Sequence, residues 1–517
     1  MPIKSPNPSS IFLKPFLTLA PNSRWWIFIV LGFFVALFPL ADYLHSYITA
    51  NYLASPEANF KPIALTPDSS LTGSVYLPLI FKQSEILPLA NTFRINVPFF
   101  DGDVQFAETG IFWFGKVNST ENYVDVRMGY TNMELYIRLA AFDRRLWYDT
   151  TPTPSELTSW DAASLYLDLE GNTGKSPDAN NYLFVGQLNW YESRTEYQTA
   201  YQGDGSGWVA APVSFTTVSR YRGDAPNNNV DDRGWALTYR IPFTNLGLDR
   251  PPPPGRIWGL SLTLHDRDNA TGTLIPAKSW PPAMSPGEPE SWGQLAFGLP
   301  AYSTPPVTPS GTTVIRHKLN GAIVVDGMVG GSSTCGTGLD FWTEWGEANY
   351  AGASQVNIQN QFDVADWPCF SKFYITFPLD AIPPEAEVIS ATLTLYQFGN
   401  AGGGIYGAPS DSLVQAFTIV DGWEENILNW NNAPLASENV SRAWIKPITD
   451  PIGYPGVPRT WDVSKAVAEA HMESQSLSIA LYSADGDYNS GKYFYSSDQG
   501  DWNAEGRPTL QVIWGYP

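Results

Sequence analysis

Several stretches of the chain set carboxylates beside aromatic rings, or beside one another, at spacings that could do chemistry. Trp160 is followed directly by Asp161, Asp266 and Asp268 flank Arg267, and Trp280 stands in "KSWPPAMSPGEPE" ahead of Glu288 and Glu290. An indole face can meet the C–H face of a pyranose while carboxylates accept from its hydroxyl rim. Trp160 or Trp280 as the ring, with Asp161 and Asp268 as rim contacts, would therefore make a sugar site. The competing reading is that each ring is simply core, since the chain has 20 Trp to place. Asp266 and Asp268 alternate, which puts both on one face of a strand end and suits calcium or a ligand hydroxyl. A surface ion pair with Arg267 explains the same residues.

Catalysis finds less material. Glycoside cleavage needs two carboxyls on opposite sides of one bond. Glu424 and Glu425, in "AFTIVDGWEENILNWNNAP" with Asp421, Trp423 and Trp430, are adjacent and point to opposite faces of an extended chain. The pairs Glu288 with Glu290 and Asp266 with Asp268 are too local to flank a bond. Asp485, Asp487 and Asn489 in "SADGDYNSG" invite a calcium reading, but the glycine falls one place late for an EF-hand and position twelve is Ser496. The segment reads as a turn, with calcium as its alternative. The histidines, at 45, 265, 317 and 471, never fall at zinc-ligand spacing, and no P-loop or GxSxG elbow occurs.

These residues need a scaffold, and composition says which kind. The 517 residues are enough for two or three domains, and 43 Gly with 43 Pro break the chain too often for long helices. Fifty-one acids against 30 bases give a net charge of −21, which excludes nucleic acid and other polyanions as partners. The alternation in "YVDVRMGY", "MELYIRLAAF", "ASLYLDLEG" and "IWGLSLTLHDRD" marks strands buried on one face, as do "AEVISATLTLYQF" and "SLSIALYSAD" further on. One helix is expected, over "VSKAVAEAHMES".

"RWWIFIVLGFFVALFPLA" is uncharged from Trp25 to Ala41, with Lys4, Lys14 and Arg24 before it. That pattern predicts one membrane helix with the N-terminus inside, the alternative being secretion after signal cleavage. The expected layout is a cytoplasmic tail and anchor over 1–44, a Pro-rich stalk over 45–92, a sandwich over 93–299, a linker over 300–311 and a second sandwich over 312–517. Outside the cell, Cys335 and Cys369 would pair. Closing that loop would add roughly 3 to 4 kcal/mol.

The order "FFDGDVQF", "ELYIRLAAFD", "WDAASLYLDLEG", "GWALTYRIPFTNLGL", "GLSLTLHDRDN" and "WGQLAFG" resembles the family 9 carbohydrate-binding modules, a DOMON-like sandwich, over roughly 93–299. The sequence departs from that pattern in lacking a tryptophan soon after Asp101-Gly102 and in its long loop from 171 to 230. "FPLDAIPPEAEVISATLTLYQF", "GWEENILNWNNAP", "WDVSKAVAEA" and "RPTLQVIW" resemble the DNRLRE domain, of carbohydrate-binding module family 96 type, over roughly 312–517. In that family the Trp-Glu and Trp-Asn-Asn-x-Pro segment is a structural feature, here Trp423-Glu424 and Trp430 to Pro434.

The combined expectation is an all-β chain of two antiparallel, jelly-roll-like β-sandwiches after an N-terminal transmembrane helix. It would be a bacterial-type surface protein, anchored to the membrane and extracytoplasmic, without catalysis, whose partner is a polysaccharide or cell-surface glycan. The rival expectations are a spacer with no sugar ligand, an accessory part of a polysaccharide-degrading system, and a glycoside-active enzyme.

Overall fold

The computed structural model describes residues 93–189, 193–271, 274–331, 338–360, 369–404, 407–419, 422–487 and 489–517. The expected anchor and stalk, Cys335 and Asp421 lie outside the described residues. Among the described residues no helix is long and apolar enough to cross a membrane. Ile86–Pro517 is one compact unit.

The architecture is mostly β, in three sheets among the described residues. A five-stranded sheet runs in the order Gly110–Asn118, Glu121–Tyr130, Glu134–Phe142, Gly234–Pro242, Thr216–Arg222. A six-stranded sheet includes Thr308–Arg316, Thr509–Tyr516 and Glu387–Asn400. The first of these strands starts inside the expected linker, because Thr308 pairs with Tyr516. The third sheet has thirteen strands and takes them from both halves of the chain. The expected helix forms over Ser464–Met472.

The join within the large sheet is specific. Arg94–Val97 pairs in parallel with Gly293–Phe297 on one side and meets Ala436–Ile445 on the other through Arg94 and Glu438. Beyond that single bridge a side chain continues the ladder: the Asn96 N–H donates to Asn439 Oδ1 at 2.7 Å, and Asn439 Nδ2 donates to the Asn96 carbonyl at 2.9 Å. Both residues are buried, so these bonds satisfy groups that water cannot reach.

Three apolar layers result. Phe112, Val124, Val126, Leu165, Leu167 and Leu262 lie between the five-stranded sheet and the first half of the large one. Phe373, Ile375, Leu393, Leu395 and Leu481 fill the second sandwich. Between the halves lies a third layer, where Ile111, Trp113, Tyr123 and Phe142 meet Trp345, Tyr374, Phe417, Trp430 and Tyr482. Gly110–Asn118 is therefore buried on both faces, which is why Ile111 to Phe114 is an unbroken apolar run.

The one-face alternation expected of "YVDVRMGY" places Asp125 and Arg127 in solvent; the structure buries both in this middle layer. Asp125 accepts from Tyr123 Oη at 2.6 Å, Asn360 Nδ2 at 2.8 Å and Tyr482 Oη at 3.1 Å, and Arg127 lies 3.8 Å away. The Lys372 ammonium sits 3.6 Å from the Trp430 ring centroid and 4.5 Å from those of Trp113 and Tyr123. Burial pushes that amine well below its usual range, and Asp125 opposes the shift.

Candidate metal centre and glycan face

Asp161 immediately precedes the strand Ala162–Asp168, and Asp266 ends the strand Ile257–Asp266, whose His265 pairs with Ala162. The antiparallel register therefore brings the two carboxylates together across one ladder. Asp143 follows Glu134–Phe142 of the opposite sheet and closes the group from the other side. One ligand atom from each of the three lies within 4.8 Å of the others, and the residues are 0%, 0% and 4% exposed.

Hydrogen bonds reach both oxygens of Asp143 and of Asp161 but not Oδ1 of Asp266. Asp161 Oδ2 accepts from the Trp147 N–H at 2.6 Å and its Oδ1 from the Arg267 N–H at 3.0 Å. Asp143 accepts from the Arg145 N–H at 2.9 Å and from Trp235 Nε1 at 3.2 Å. Asp266 Oδ1 is buried with no hydrogen-bond partner. Burial, and after it the neighbouring carboxylates, push Asp143 and Asp161 well above the usual carboxylate range and Asp266 up to about 7. A cluster of oxygen donors that is costly to ionise alone suits a hard dication such as calcium, which would offset both burial and repulsion. The residues present fit that ion.

The sequence-based site separates on this geometry. Asp266 belongs to the cluster, whereas Asp268 lies past the strand end, half-buried, and acts on Asp266 only through its charge. Asp161 is not a rim residue; it is fully buried in the cluster. Trp160 is half-buried and has the Arg267 guanidinium 4.0 Å from its ring centroid, so a cation occupies one face. Trp280 is 0% exposed, stacked on Phe112 at 4.1 Å with Phe93 edge-on at 5.8 Å. Its strand, Ile275–Trp280, pairs Trp280 with Leu262, and the ring points between the sheets. Trp280 is a core residue and offers no platform.

A better-placed aromatic group was missed. Along Ala162–Asp168, Ala163, Leu165 and Leu167 face the core, so Tyr166 faces the other side of the sheet. There it meets Trp208 and Trp292, with ring centroids 6.0 and 5.5 Å away. The two indoles are parallel to 6° with centroids 6.2 Å apart. One turn holds both: Trp208 Nε1 donates to the Pro286 carbonyl at 3.1 Å and Trp292 Nε1 to the Ser285 carbonyl at 2.9 Å. Trp208 is half-buried, while Asp204, Glu288 and Glu290 are exposed nearby in sequence. Trp292 opens the "WGQLAFG" landmark, but Trp208 lies in the long 171–230 stretch, where no pattern flagged it.

In the second half Trp430 is structural. Trp430 is 3% exposed and tilts over Trp345 at 4.7 Å and Tyr123 at 4.9 Å. The asparagines fasten the turn, as expected: Asn429 Oδ1 accepts from the Asn431 and Asn432 N–H groups at 3.1 and 2.9 Å. Asn431 also reaches across to Val117, accepting from its N–H at 2.8 Å and donating to its carbonyl at 3.0 Å. Trp430 thus packs the seam between the halves rather than a sheet edge alone. Glu425 accepts from the Gly352 N–H at 2.7 Å while Glu424 is exposed, and the two do not converge.

No curated protein sequence matches the chain. Among solved structures, a family 9 carbohydrate-binding module from Caldicellulosiruptor kristjanssonii in complex with cellotriose aligns at 16% identity and a TM-score of 0.29, covering 42% of this chain and 99% of that one. The same organism's module in complex with glucose aligns at 16% identity and a TM-score of 0.27, covering 41% of this chain and 100% of that one. Residues 343–512 match the model of carbohydrate-binding module family 96.

Proposed function

We propose that the protein is a non-catalytic, extracytoplasmic glycan-binding protein held to the membrane by an N-terminal helix. The observation that carries this reading is Trp208, a half-buried indole outside the sandwich core that is backed by the buried rings of Tyr166 and Trp292, the latter parallel to it. A ring backed by two buried aromatics and held through its Nε1–H is pre-organised to stack on a pyranose, and Trp208 is the ring a sugar reaches. The match of 343–512 to a carbohydrate-binding module family supports the same reading. The uncharged run from Trp25 to Ala41 supports the anchor, and an extracytoplasmic setting would favour a Cys335–Cys369 disulfide.

Calcium would bind Asp143, Asp161 and Asp266 and tie the opposed sheets together near one end of the first sandwich. Its role would be structural, since the cluster is fully buried.

The test is binding of full-length protein to a panel of neutral and acidic polysaccharides, with and without calcium, beside Trp208→Ala. Retention of one neutral polysaccharide, weakened about tenfold or more in the variant at unchanged Tm, is expected. No binding across the panel would favour the spacer reading. Carbonate washing of membranes tests the anchor: the protein should stay with the pellet, and a mature N-terminus beyond residue 41 would show cleavage instead.

A further inference from the structure

We propose that the seam between the two halves forms a second sugar-binding site, selective for a neutral pyranose and built from residues of both. A cavity of about 310 Å³ opens there, lined by Phe106 from the first half and by Ser410, Asp411, Trp444, Asp485 and Asp487 from the second. These residues are distinct from the Trp208 and Trp292 face.

The walls are fixed. The short 3₁₀ turn Phe106–Glu108 docks on the second half through Arg442 Nη1, which donates to the Glu108 carbonyl at 3.0 Å, and through Gln415 Nε2, which donates to the Thr109 carbonyl at 2.8 Å. Phe106 is steadied by the Arg138 guanidinium, 3.8 Å from its ring centroid. Asp485 is 3% exposed and accepts from Ser412 Oγ at 2.5 Å. Lys492 Nζ donates to the Ser410 carbonyl at 2.7 Å and anchors that side of the cavity.

One feature points to a ligand. Trp444 is 48% exposed at the end of its strand, an indole left open beside a cavity instead of being packed. An apolar ring facing a few convergent polar groups is the composition of a small-ligand site, and the volume is at the small end for one. A pyranose answers each part: its C–H face covers Trp444, and its hydroxyls donate to the exposed carboxylates of Asp411 and Asp487.

Charge narrows the class. Asp411 and Asp487 are exposed carboxylates on the wall, so uronates and sulfated sugars would meet like charge on entry. The site needs the fused halves, because neither alone supplies both Phe106 and Trp444. It rests on the glycan-binding reading for its class of partner and differs from it in location.

The experiment uses full-length protein carrying 5-fluorotryptophan, with the Trp444 fluorine signal assigned from Trp444→Phe. Neutral trisaccharides of glucose, xylose and mannose are titrated, with trigalacturonate as the acidic probe. At least one neutral sugar should move the Trp444 signal, at an affinity lowered tenfold or more in Trp444→Ala and unchanged in Trp208→Ala. Asp411→Asn should weaken binding several-fold at unchanged Tm. Sugar shifts confined to Trp208 and Trp292 would overturn the seam site while leaving the glycan reading intact. A preference for trigalacturonate at Trp444 would overturn the neutral class, and no shift at any tryptophan with no retained polysaccharide would remove both readings.

Discussion

At the scale of residues, three buried carboxylates dominate the electrostatics of the first sandwich. Asp266 is the most informative, having one oxygen without a partner and a carboxyl raised to about 7. Its folded-state value lies above the unfolded one, so without metal the group costs nothing at pH below about 4 and its full penalty above about 7. A rise of that size corresponds to on the order of 4 kcal/mol. In EDTA at pH 7.5, Asp266→Asn should therefore be at least as stable as the natural protein. At pH 5 that advantage should shrink, because Asp266 is then protonated in the folded state. Calcium should raise the Tm of the natural protein by several degrees and leave the variant almost unmoved. Thermal melts at the two pH values, with and without calcium, check all three outcomes; equal calcium responses would reject the site.

At the scale of elements, the short strand Arg94–Val97 joins the halves, and Asn439 supplies the bonds that a continuing strand would otherwise make. Asn439→Ala leaves a buried N–H and carbonyl of Asn96 without those partners. Such groups cost about 1 to 3 kcal/mol each. The variant should lose on the order of 2 to 4 kcal/mol of stability in denaturant melts, with no change in the calcium response of the distant aspartates. A loss under 0.5 kcal/mol would mean that the rest of the seam, and not this ladder, holds the strand.

At the scale of the whole molecule, the sandwiches are fused by a shared sheet and a tryptophan-rich middle layer rather than joined by a flexible linker. An interface of that kind, with Trp113, Trp345 and Trp430 fully or nearly fully buried, makes independent unfolding costly. Calorimetry of the calcium-loaded protein should give one transition with equal calorimetric and van't Hoff enthalpies. Two resolved transitions would show the halves to be thermodynamically separate.

The sequence by itself determined the mostly-β character, the helix over Ser464–Met472 and the turn chemistry of Asn429 to Asn432. Each depends on neighbours in the chain, through period, propensity and side-chain caps. It also singled out Asp266 and Asp268 together as carboxylates at a strand end, a local feature, but not that Asp268 stays out of the buried cluster. Only the tertiary structure decided the rest. Asp143 and Asp161 join Asp266 through packing of opposed sheets, Trp280 goes inside and Trp208 outside by the pairing of their strands, and Asp125 and Arg127 are buried because a second sheet covers their face. Alternation reports that a strand has two unlike faces; it carries no information on whether the polar one meets water or another part of the chain.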